Sequence, residues 1–234
     1  MDGKQEKKGE ETMRAGDRGM SLVCLEEPRS PIAEAYRTLR TNLQFAGFEQ
    51  DLKSLLITSA DPGEGKTTTV TNLAVVMAQT GKRVLVIDAD LRRPALHFRF
   101  PVTNLRGLSE VLSGERPFAE VIQRVDQENI HVMTSGTLPP NPSELLHTGQ
   151  MRELLLSVRT HYDVILLDAP PILPVTDAQI LARHADGVLL VVRSGKVLVN
   201  HVKKAQGLLQ HAGANLVGTL LNHKRMTTKS YYYD

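Results

Sequence analysis

Residues 54–70 read SLLITSADPGEGKTTTV, and this stretch decides the fold. An apolar run over 54–59 leads into a turn with two glycines, and a helix-forming segment begins at Lys66. A buried strand that passes through such a turn into a helix is the context of a phosphate-binding loop. Backbone N–H groups of the turn and the positive end of the helix together attract anions. The sequence therefore predicts a phosphate site over residues 60–67.

The side chains of this loop predict a nucleotide phosphate with Mg²⁺. The lysine ammonium is expected on the β- and γ-phosphates, and the hydroxyl that follows it is expected on the metal. Glycine lets the backbone wrap closely around the phosphates. The strict pattern begins with glycine, whereas this chain has Ala60, so the match is to a variant form. The predicted nucleotide-binding residues of the loop are Asp61, Pro62, Gly63, Glu64, Gly65, Lys66, Thr67 and Thr68.

Outward from the loop, strands and helices alternate. Apolar strands without polar alternation, separated by helices, predict an α/β fold with a mostly parallel sheet covered by helices on both faces. The region from about 91 to 160 adds short helices and a proline-rich loop. The predicted strands are residues 53–59, 82–88, 163–168, 186–195 and 215–222, and the predicted helices are 30–45, 66–81, 176–185 and 198–213.

The chain is expected to form one domain with two tails. Residues 1–20 are polar and lack periodicity, which predicts a disordered N-terminal tail. The domain is expected over 21–222 and a flexible tail over 223–234. Three of the five tyrosines, Tyr231, Tyr232 and Tyr233, stand in the last four residues, where a packed core does not need them.

Three aspartates follow the predicted strands at their carboxyl ends. Asp88 and Asp90 come at the end of the second strand, and Asp168 ends the third. In an open parallel sheet, ligands bind outside these ends. Asp168 is therefore expected to hold Mg²⁺ through water. Asp88 and Asp90 could accept a proton from an incoming hydroxyl or form a second metal face. The alternative is that these aspartates only cap the turns after their strands.

Three further residues have two readings each. Asp177 is either a helix cap or a residue behind the active site. Asn222 could hydrogen-bond an adenine edge, and it is equally plausible as a turn residue. Cys24, the single cysteine, is expected to be a neutral thiol rather than a nucleophile, because nothing near it in the sequence would act as an activating base.

The segment SPIAEAYRTLRTNLQF, residues 30–45, predicts an amphipathic helix. Ser30 is a suitable N-cap and Pro31 suits the first helical position. Apolar side chains recur at helical spacing, at Ile32, Ala35, Leu39 and Leu43.

The same helix carries a charged face. Glu34, Arg37 and Arg40 are three positions apart and lie on one side of the helix. Spacing alone favours a solvated face with a weak intrahelical ion pair. Tyr36, between them, is expected to pack rather than to be modified.

Composition excludes several classes of protein. The 234 residues have a formal net charge of +2, without a DNA-reading motif or a long basic run, so no nucleic-acid partner is expected. One cysteine excludes an internal disulfide framework. The apolar runs are much shorter than a membrane span, and the first residues lack the apolar core of a signal peptide. A cytoplasmic protein is expected.

Three motifs together resemble the bacterial tyrosine kinases of capsule and exopolysaccharide systems. They are ADPGEGKT at 60–67, VIDADLR at 86–92 and ILLDAPP at 165–171. The resemblance covers nearly the whole chain after about residue 20, and DADLRRP with the tyrosine cluster is its most specific part. It implies a P-loop NTPase fold, MinD/ParA-like, with ATP and Mg²⁺ as cofactors.

The resemblance also implies roles for the residues. Lys66 binds the phosphates, and the metal is organised by Thr67, Asp88 and Asp168. Asp88 is also the base for a tyrosine hydroxyl, and Asp90 supports either the metal or the base. Glu34, Arg37 and Arg40 match the family pattern E-x-x-R-x-x-R, an interface motif that assembles subunits into a ring. Tyr231 to Tyr233 then become acceptors on a tail that could reach a neighbour's site.

The implied biology is regulation of polysaccharide synthesis and export. The chain resembles the free-standing members of the family, which are stimulated by a transmembrane chain-length regulator, or co-polymerase, at the inner face of the plasma membrane. A cognate tyrosine phosphatase would reverse the phosphorylation.

Two other functions are open. The ParA/MinD-like positioning ATPases share the fold and the later aspartates without transferring phosphate to protein. They usually have a lysine early in the loop, where this chain has Asp61 and Pro62, and this difference favours the kinase. The second is a non-enzymatic interaction module in which the nucleotide is structural. Eukaryotic protein kinases are excluded, since their H-R-D and D-F-G motifs are absent from the sequence.

Overall fold

The computed structural model describes residues 22–48, 52–125 and 129–224. The strands are β1 (Ser54–Ser59), β2 (Val84–Asp88), β3 (Gln123–Arg124), β4 (Ile130–Met133), β5 (Val164–Asp168), β6 (Gly187–Arg193) and β7 (Leu216–Asn222). The helices are α1 (Val23–Glu26), α2 (Pro31–Phe45), α3 (Lys66–Ala78), α4 (Leu108–Leu112), α5 (Phe118–Val121), α6 (Pro142–Leu146), α7 (Gly149–Val158), α8 (Asp177–Ala182) and α9 (Val199–His211), and Leu96–Phe98 forms a 3₁₀ turn.

All seven strands join one sheet, in the order β3-β4-β2-β5-β1-β6-β7. Every pairing is parallel except that of the short edge strand β3 with β4. Asp88 at the end of β2 is in register with Asp168 at the end of β5, and β5 also pairs with β1, which leads into the phosphate loop. The sheet order therefore brings the predicted acidic strand ends together beside the loop.

Alternate side chains of the central strands feed two hydrophobic clusters, one on each face of the sheet. Leu55 and Ile57 of β1 point into the cluster that α1, α2 and α3 cover. Leu56 points into the cluster that α4, α7, α8 and α9 cover. β1, β2 and β5 are buried at every position, which confirms the expected helical cover on both faces.

The structure adds two strands and corrects a helix face. Strand β4 lies beside β2, the short strand β3 pairs with β4, and neither was predicted. Ser30 caps α2 as expected, its Oγ accepting from Ala33 N at 3.1 Å. The predicted apolar face of α2 is partly wrong, since the helix buries Ala33, Tyr36 and Leu43, while Ile32 is 52% exposed. Ala35 is exposed as well. Proximity to α1 and α3 selects the buried side, and apolar spacing alone does not reveal it.

The predicted tails lie almost entirely outside the described residues, which include only His223 and Lys224 of them. The tail over 1–20 and all three terminal tyrosines lie outside the described residues. In the part of the chain that is described, no helix combines the length and apolarity needed to cross a bilayer.

Candidate active site

The phosphate loop takes the backbone shape that its glycines permit. Gly63 has φ +77° and Gly65 has φ +96°, both in the left-handed region. Gly65 is the N-cap of α3, so the helix begins at Lys66 with its N–H groups at the loop. An anion in this loop would meet backbone donors and the positive end of a helix 13 residues long.

Two side chains hold the loop in place by hydrogen bonds to the protein backbone. Glu64 is buried, and its carboxylate accepts from the backbone N–H of Asp61 and, at 2.9 Å, from that of Arg193 at the end of β6. Asn222 donates from Nδ2 to the carbonyl of Glu64 at 2.9 Å. Its Oδ1 accepts from the backbone of His223, so the Asn222 amide is engaged with protein backbone. Its use for an adenine edge stays a prediction.

Asp61 stands where the positioning ATPases usually have a lysine. Its Oδ2 lies 2.7 Å from Nδ1 of His201 on α9. This contact ties the start of the loop to α9, which packs on the face of the sheet opposite α3.

Thr67 and Asp168 meet directly. The Thr67 hydroxyl donates to Asp168 Oδ2 at 2.6 Å, across 101 positions of sequence. Burial raises the pKa of Asp168, and the ammonium of Lys66 and the Thr67 hydroxyl oppose that rise. The other carboxylate oxygen, Oδ1, is buried without a hydrogen-bond partner. A buried carboxylate oxygen of this kind fits a cation.

Asp88 is fully buried, and its carboxylate is held by the backbone that follows it. Oδ2 accepts from the N–H groups of Ala95 at 3.0 Å and Leu96 at 2.9 Å, and Oδ1 accepts from Asp90 N at 3.3 Å. Burial and then the charge of Asp168 raise the pKa of Asp88, and the backbone hydrogen bonds only partly oppose this. Asp88 is thus both a fixed acceptor and the organiser of the 88–96 turn.

Asp90 continues the same turn. Its Oδ1 accepts from the N–H groups of Arg92 at 3.3 Å and Arg93 at 3.0 Å. Burial raises its pKa, while those N–H groups and the charge of Lys66 lower it. Lys66 therefore acts electrostatically on both Asp90 and Asp168, so the cation and the two carboxylates share one site.

Asp177 belongs to a polar network behind this turn. It is fully buried and begins α8, with Thr176 as the N-cap. Both of its oxygens accept from the Arg92 guanidinium, at 2.8 and 3.0 Å, and Oδ1 also accepts from Ser143 Oγ at 2.6 Å. Asp177 therefore supports the acidic turn through Arg92 and does not cap the helix.

Arg99 is a residue that the sequence reasoning did not single out. Its Nη2 lies 3.4 Å from Thr68 Oγ1, at the first turn of α3. The Tyr36 hydroxyl contacts the Thr68 carbonyl at 3.5 Å from the other side. No motif contains Arg99, and only the path of the chain after Asp88 brings it here.

Magnesium fits the donors of this site. No group of three or more His, Cys, Asp or Glu side chains arranged to hold a metal occurs within the described ranges. Mg²⁺ does not require one, because it is usually held by one or two carboxylates with water and phosphate oxygens. Thr67 and the unpartnered oxygen of Asp168 supply such donors, with Asp88 in register beside them.

The predicted interface residues lie on α2. Glu34 is 68% exposed and accepts from Arg37 Nη1 at 2.9 Å. Arg37 also donates to the carbonyl of Pro28. Arg40 is partly buried and donates from Nη1 to Val76 O on α3 at 3.0 Å. Within one chain, then, the pattern forms an intrahelical ion pair and a contact to the helix of the phosphate loop.

Comparison with known proteins identifies the family. The family described as "AAA domain" matches residues 53–210. The tyrosine-protein kinase YwqD of Bacillus subtilis is 45% identical over 212 residues, covering 91% of this chain and 90% of the relative.

Solved structures agree. The kinase domain of the Escherichia coli tyrosine kinase ETK has a TM-score of 0.84 and 41% identity, covering 91% of this chain and 84% of that chain. The septum site-determining protein MinD of Pyrococcus horikoshii, complexed with Mg-ADP, has a TM-score of 0.65 and 25% identity, covering 76% and 72%. The wider fold is therefore that of MinD-type P-loop NTPases, and the high identity to kinases over nearly full length shows that the chain belongs to the bacterial tyrosine-protein kinases.

Proposed function

We propose that this kinase uses Mg·ATP to phosphorylate its own Tyr231, Tyr232 and Tyr233, in trans within an oligomer. The observation that carries the proposal is the meeting of Lys66, Asp88, Asp90 and Asp168 beside one phosphate loop. A site with a phosphate-binding cation, a fixed proton acceptor and donors for Mg²⁺ has the parts that phosphoryl transfer to a hydroxyl requires.

In the proposed reaction, the tyrosine hydroxyl gives its proton to Asp88. The phenolic oxygen forms a bond to the γ-phosphorus, the bond to the bridging oxygen breaks, and ADP leaves. A tyrosine has an ordinary pKa near 10, so a positioned base is useful at neutral pH. The backbone N–H groups that the Asp88 carboxylate accepts from hold it in a fixed position for this step. Asp90 supports Asp88 by continuing the turn that fixes it.

The remaining loop residues bind the nucleotide. Residues 61–68 form the cradle, in which the backbone N–H groups of residues 63–68 are available to the phosphates and Lys66 neutralises their charge. Bound Mg²⁺, held by Thr67 and Asp168 with Asp88 beside them, would neutralise charge on the transferred phosphoryl group. A groove of about 570 Å³ lined by Tyr36, Asn72, Leu220 and Asn222 opens next to the loop and suits the nucleobase.

The oligomer is proposed to form through α2. In this proposal Glu34, Arg37 and Arg40 exchange their contacts within the chain for contacts to a neighbouring subunit and close a ring. The tail of one subunit then reaches the site of the next, since an extended chain spans about 3.3–3.6 Å per residue.

The proposed setting is capsule or exopolysaccharide synthesis and export. A transmembrane co-polymerase would recruit the kinase from the cytoplasm to the inner face of the plasma membrane and activate it. A cognate phosphatase would reset the tyrosines. Each added phosphate contributes about −1.5 to −2 charge. Phosphorylated tails would therefore leave the carboxylate-rich site and loosen the ring.

The test is a phosphosite map of purified protein after incubation with Mg·ATP. Wild type and Lys203→Met, which alters an exposed lysine on α9, should carry phosphate on Tyr231 to Tyr233, and Lys66→Met should carry none. Equal labelling of Lys66→Met would show that the catalytic assignment is wrong. ATP hydrolysis without labelled protein would instead indicate a positioning ATPase.

A further inference from the structure

The turn that Asp88 organises delivers a basic side chain to the nucleotide site. The Asp88 carboxylate accepts from the N–H groups of Ala95 and Leu96, which fixes the start of the 3₁₀ turn Leu96–Phe98. Leu96 is fully buried and anchors that turn in the core. Arg99 is the next residue after the turn, so its backbone has a defined place relative to the end of β2.

The guanidinium of Arg99 lies among groups of the phosphate site. Nη2 is 3.4 Å from Thr68 Oγ1, one residue past the expected metal ligand Thr67. The charge of Asp168 acts on Arg99, and the neutral Tyr36 hydroxyl contacts the Thr68 carbonyl from the side of α2. The side chain is half-buried, which lowers its pKa but leaves a guanidinium charged at neutral pH. A half-buried cation beside a phosphate loop is placed to meet an anion.

We propose that Arg99 is a second cation for the nucleotide phosphates, acting with Lys66. The inference rests on the proposed nucleotide site and adds a residue to it. Arginine suits this task because its planar fork can donate two hydrogen bonds to one phosphate.

The position of Arg99 indicates which phosphates it contacts. Its partner Thr68 is on the first turn of α3, on the helix side of Lys66 and Thr67. The γ-phosphate belongs at the acidic strand ends, where the tyrosine must meet it. Arg99 should therefore contact phosphates that ADP and ATP have in common, and its loss should weaken both nucleotides alike.

The experiment measures the affinity of full-length protein for Mg·ADP and Mg·ATPγS by calorimetry. Arg99→Ala should bind both nucleotides about tenfold more weakly, the usual effect of removing one charge-assisted hydrogen bond. Arg99→Lys, which retains the charge without the fork, should lose less. Arg106→Ala, which removes an exposed arginine from a neighbouring loop, should bind as wild type does.

Thermal unfolding separates binding from folding. If Arg99→Ala lowers the melting temperature without nucleotide, the comparison uses the further rise on adding Mg·ADP, which reports affinity for the folded protein alone. The inference would be overturned if Mg·ADP raised the melting temperature of Arg99→Ala as much as that of wild type. A loss of affinity confined to ATPγS would overturn it as well. Lys66→Met distinguishes an error in the Arg99 inference from an error in the proposed nucleotide site. If Lys66→Met also binds nucleotide as wild type does, the nucleotide site itself is wrongly assigned.

Discussion

Residue 65 must be glycine for two reasons, its backbone conformation and the space taken by a neighbouring side chain. Its φ of +96° lies where L side chains are strained, and a Cβ there would lie 2.1 Å from Asn222 Nδ2. The sequence pattern predicts the first requirement, since the loop needs glycine for its turn. The second comes from the last strand of the sheet and cannot be read locally.

We therefore predict that Gly65→Ala is worse than backbone strain alone explains. Left-handed strain costs about 1–2 kcal/mol of stability, and displacing Asn222 should also lower Mg·ADP affinity more than tenfold. Gly81→Ala is the matched control, with φ +82° and no atom near its Cβ position. Urea unfolding and calorimetry of both variants test this, and equal affinities for Mg·ADP would contradict it.

A second prediction at the residue scale concerns the buried carboxylate of Asp177. Arg92→Ala would leave Asp177 buried without its ion pair, which should lower the free energy of unfolding by about 3 kcal/mol. The loss should be somewhat smaller than that because the Arg92 side chain is 38% exposed and solvent screens the pair. The double variant Arg92→Ala, Asp177→Ala should be more stable than the sum of the two single losses predicts. Denaturant unfolding of the four proteins measures this coupling, and strict additivity would contradict it.

The site residues that could be predicted from the sequence are those with a recognisable local pattern. A glycine turn before a helix and an aspartate after an apolar strand both have short-range signatures, and Lys66, Thr67, Asp88 and Asp168 do lie together. Contacts such as Arg92 with Asp177, 85 positions apart, depend on how the turns fold back. No spacing rule connects them, and Arg99 was missed for the same reason.

At the scale of elements, the central strands were predictable because each is an unbroken apolar run. β4 was missed because it has four residues and contains His131, so it looks like part of a loop. It is a strand because it pairs in parallel with β2, and this pairing is visible only in the folded sheet. The exposed side of α2 was misassigned because apolar Ile32 and Ala35 face a groove beside β7 and not the core.

One carboxylate joins three elements and predicts a pH effect. Asp186, before β6, accepts from the N–H groups of Lys53 and Ser54 and from Arg159 after α7. Burial alone would raise the pKa of Asp186, but the N–H of Ser54 and the Arg159 guanidinium outweigh it and hold the pKa below its ordinary value. The ionised form therefore stabilises the fold above the unfolded pKa of about 4.

Asp186→Asn should lower the free energy of unfolding at pH 7 by about 1.5–3 kcal/mol, the usual contribution of a hydrogen bond to a charged group. The difference from wild type should shrink as the pH falls from about 4 through the lower folded pKa, because wild-type Asp186 then becomes protonated. Chemical denaturation between pH 7 and pH 3 tests this, with exposed Glu115→Gln as control. A difference that is constant with pH would contradict the assignment.

At the scale of the whole molecule, α2 connects the nucleotide site with the proposed interface. It contacts Thr68 through Tyr36 and Val76 through Arg40, both on the helix that starts at the phosphate loop. Subunit contacts made by α2 would thus be transmitted to α3 directly.

The ring prediction has a matched control in this chain. Glu34 and Glu120 are both exposed glutamates that pair with an arginine three or four positions away in the sequence. If α2 forms the interface, Glu34→Ala should reduce the oligomer measured by light scattering, and Glu120→Ala should not. Identical oligomers for both variants would leave Glu34 as part of an ordinary solvated face.

The bond from Asn222 to the phosphate loop also has a consequence for biosynthesis. It joins residues 158 positions apart, so the loop leaves the ribosome long before the strand that shapes it. At usual rates of synthesis this interval is roughly 10 to 30 seconds. During that time the nascent chain has the entire loop sequence but lacks β7 to hold it. The enzyme should therefore acquire its affinity for nucleotide late, and unfinished chains should not act as kinases.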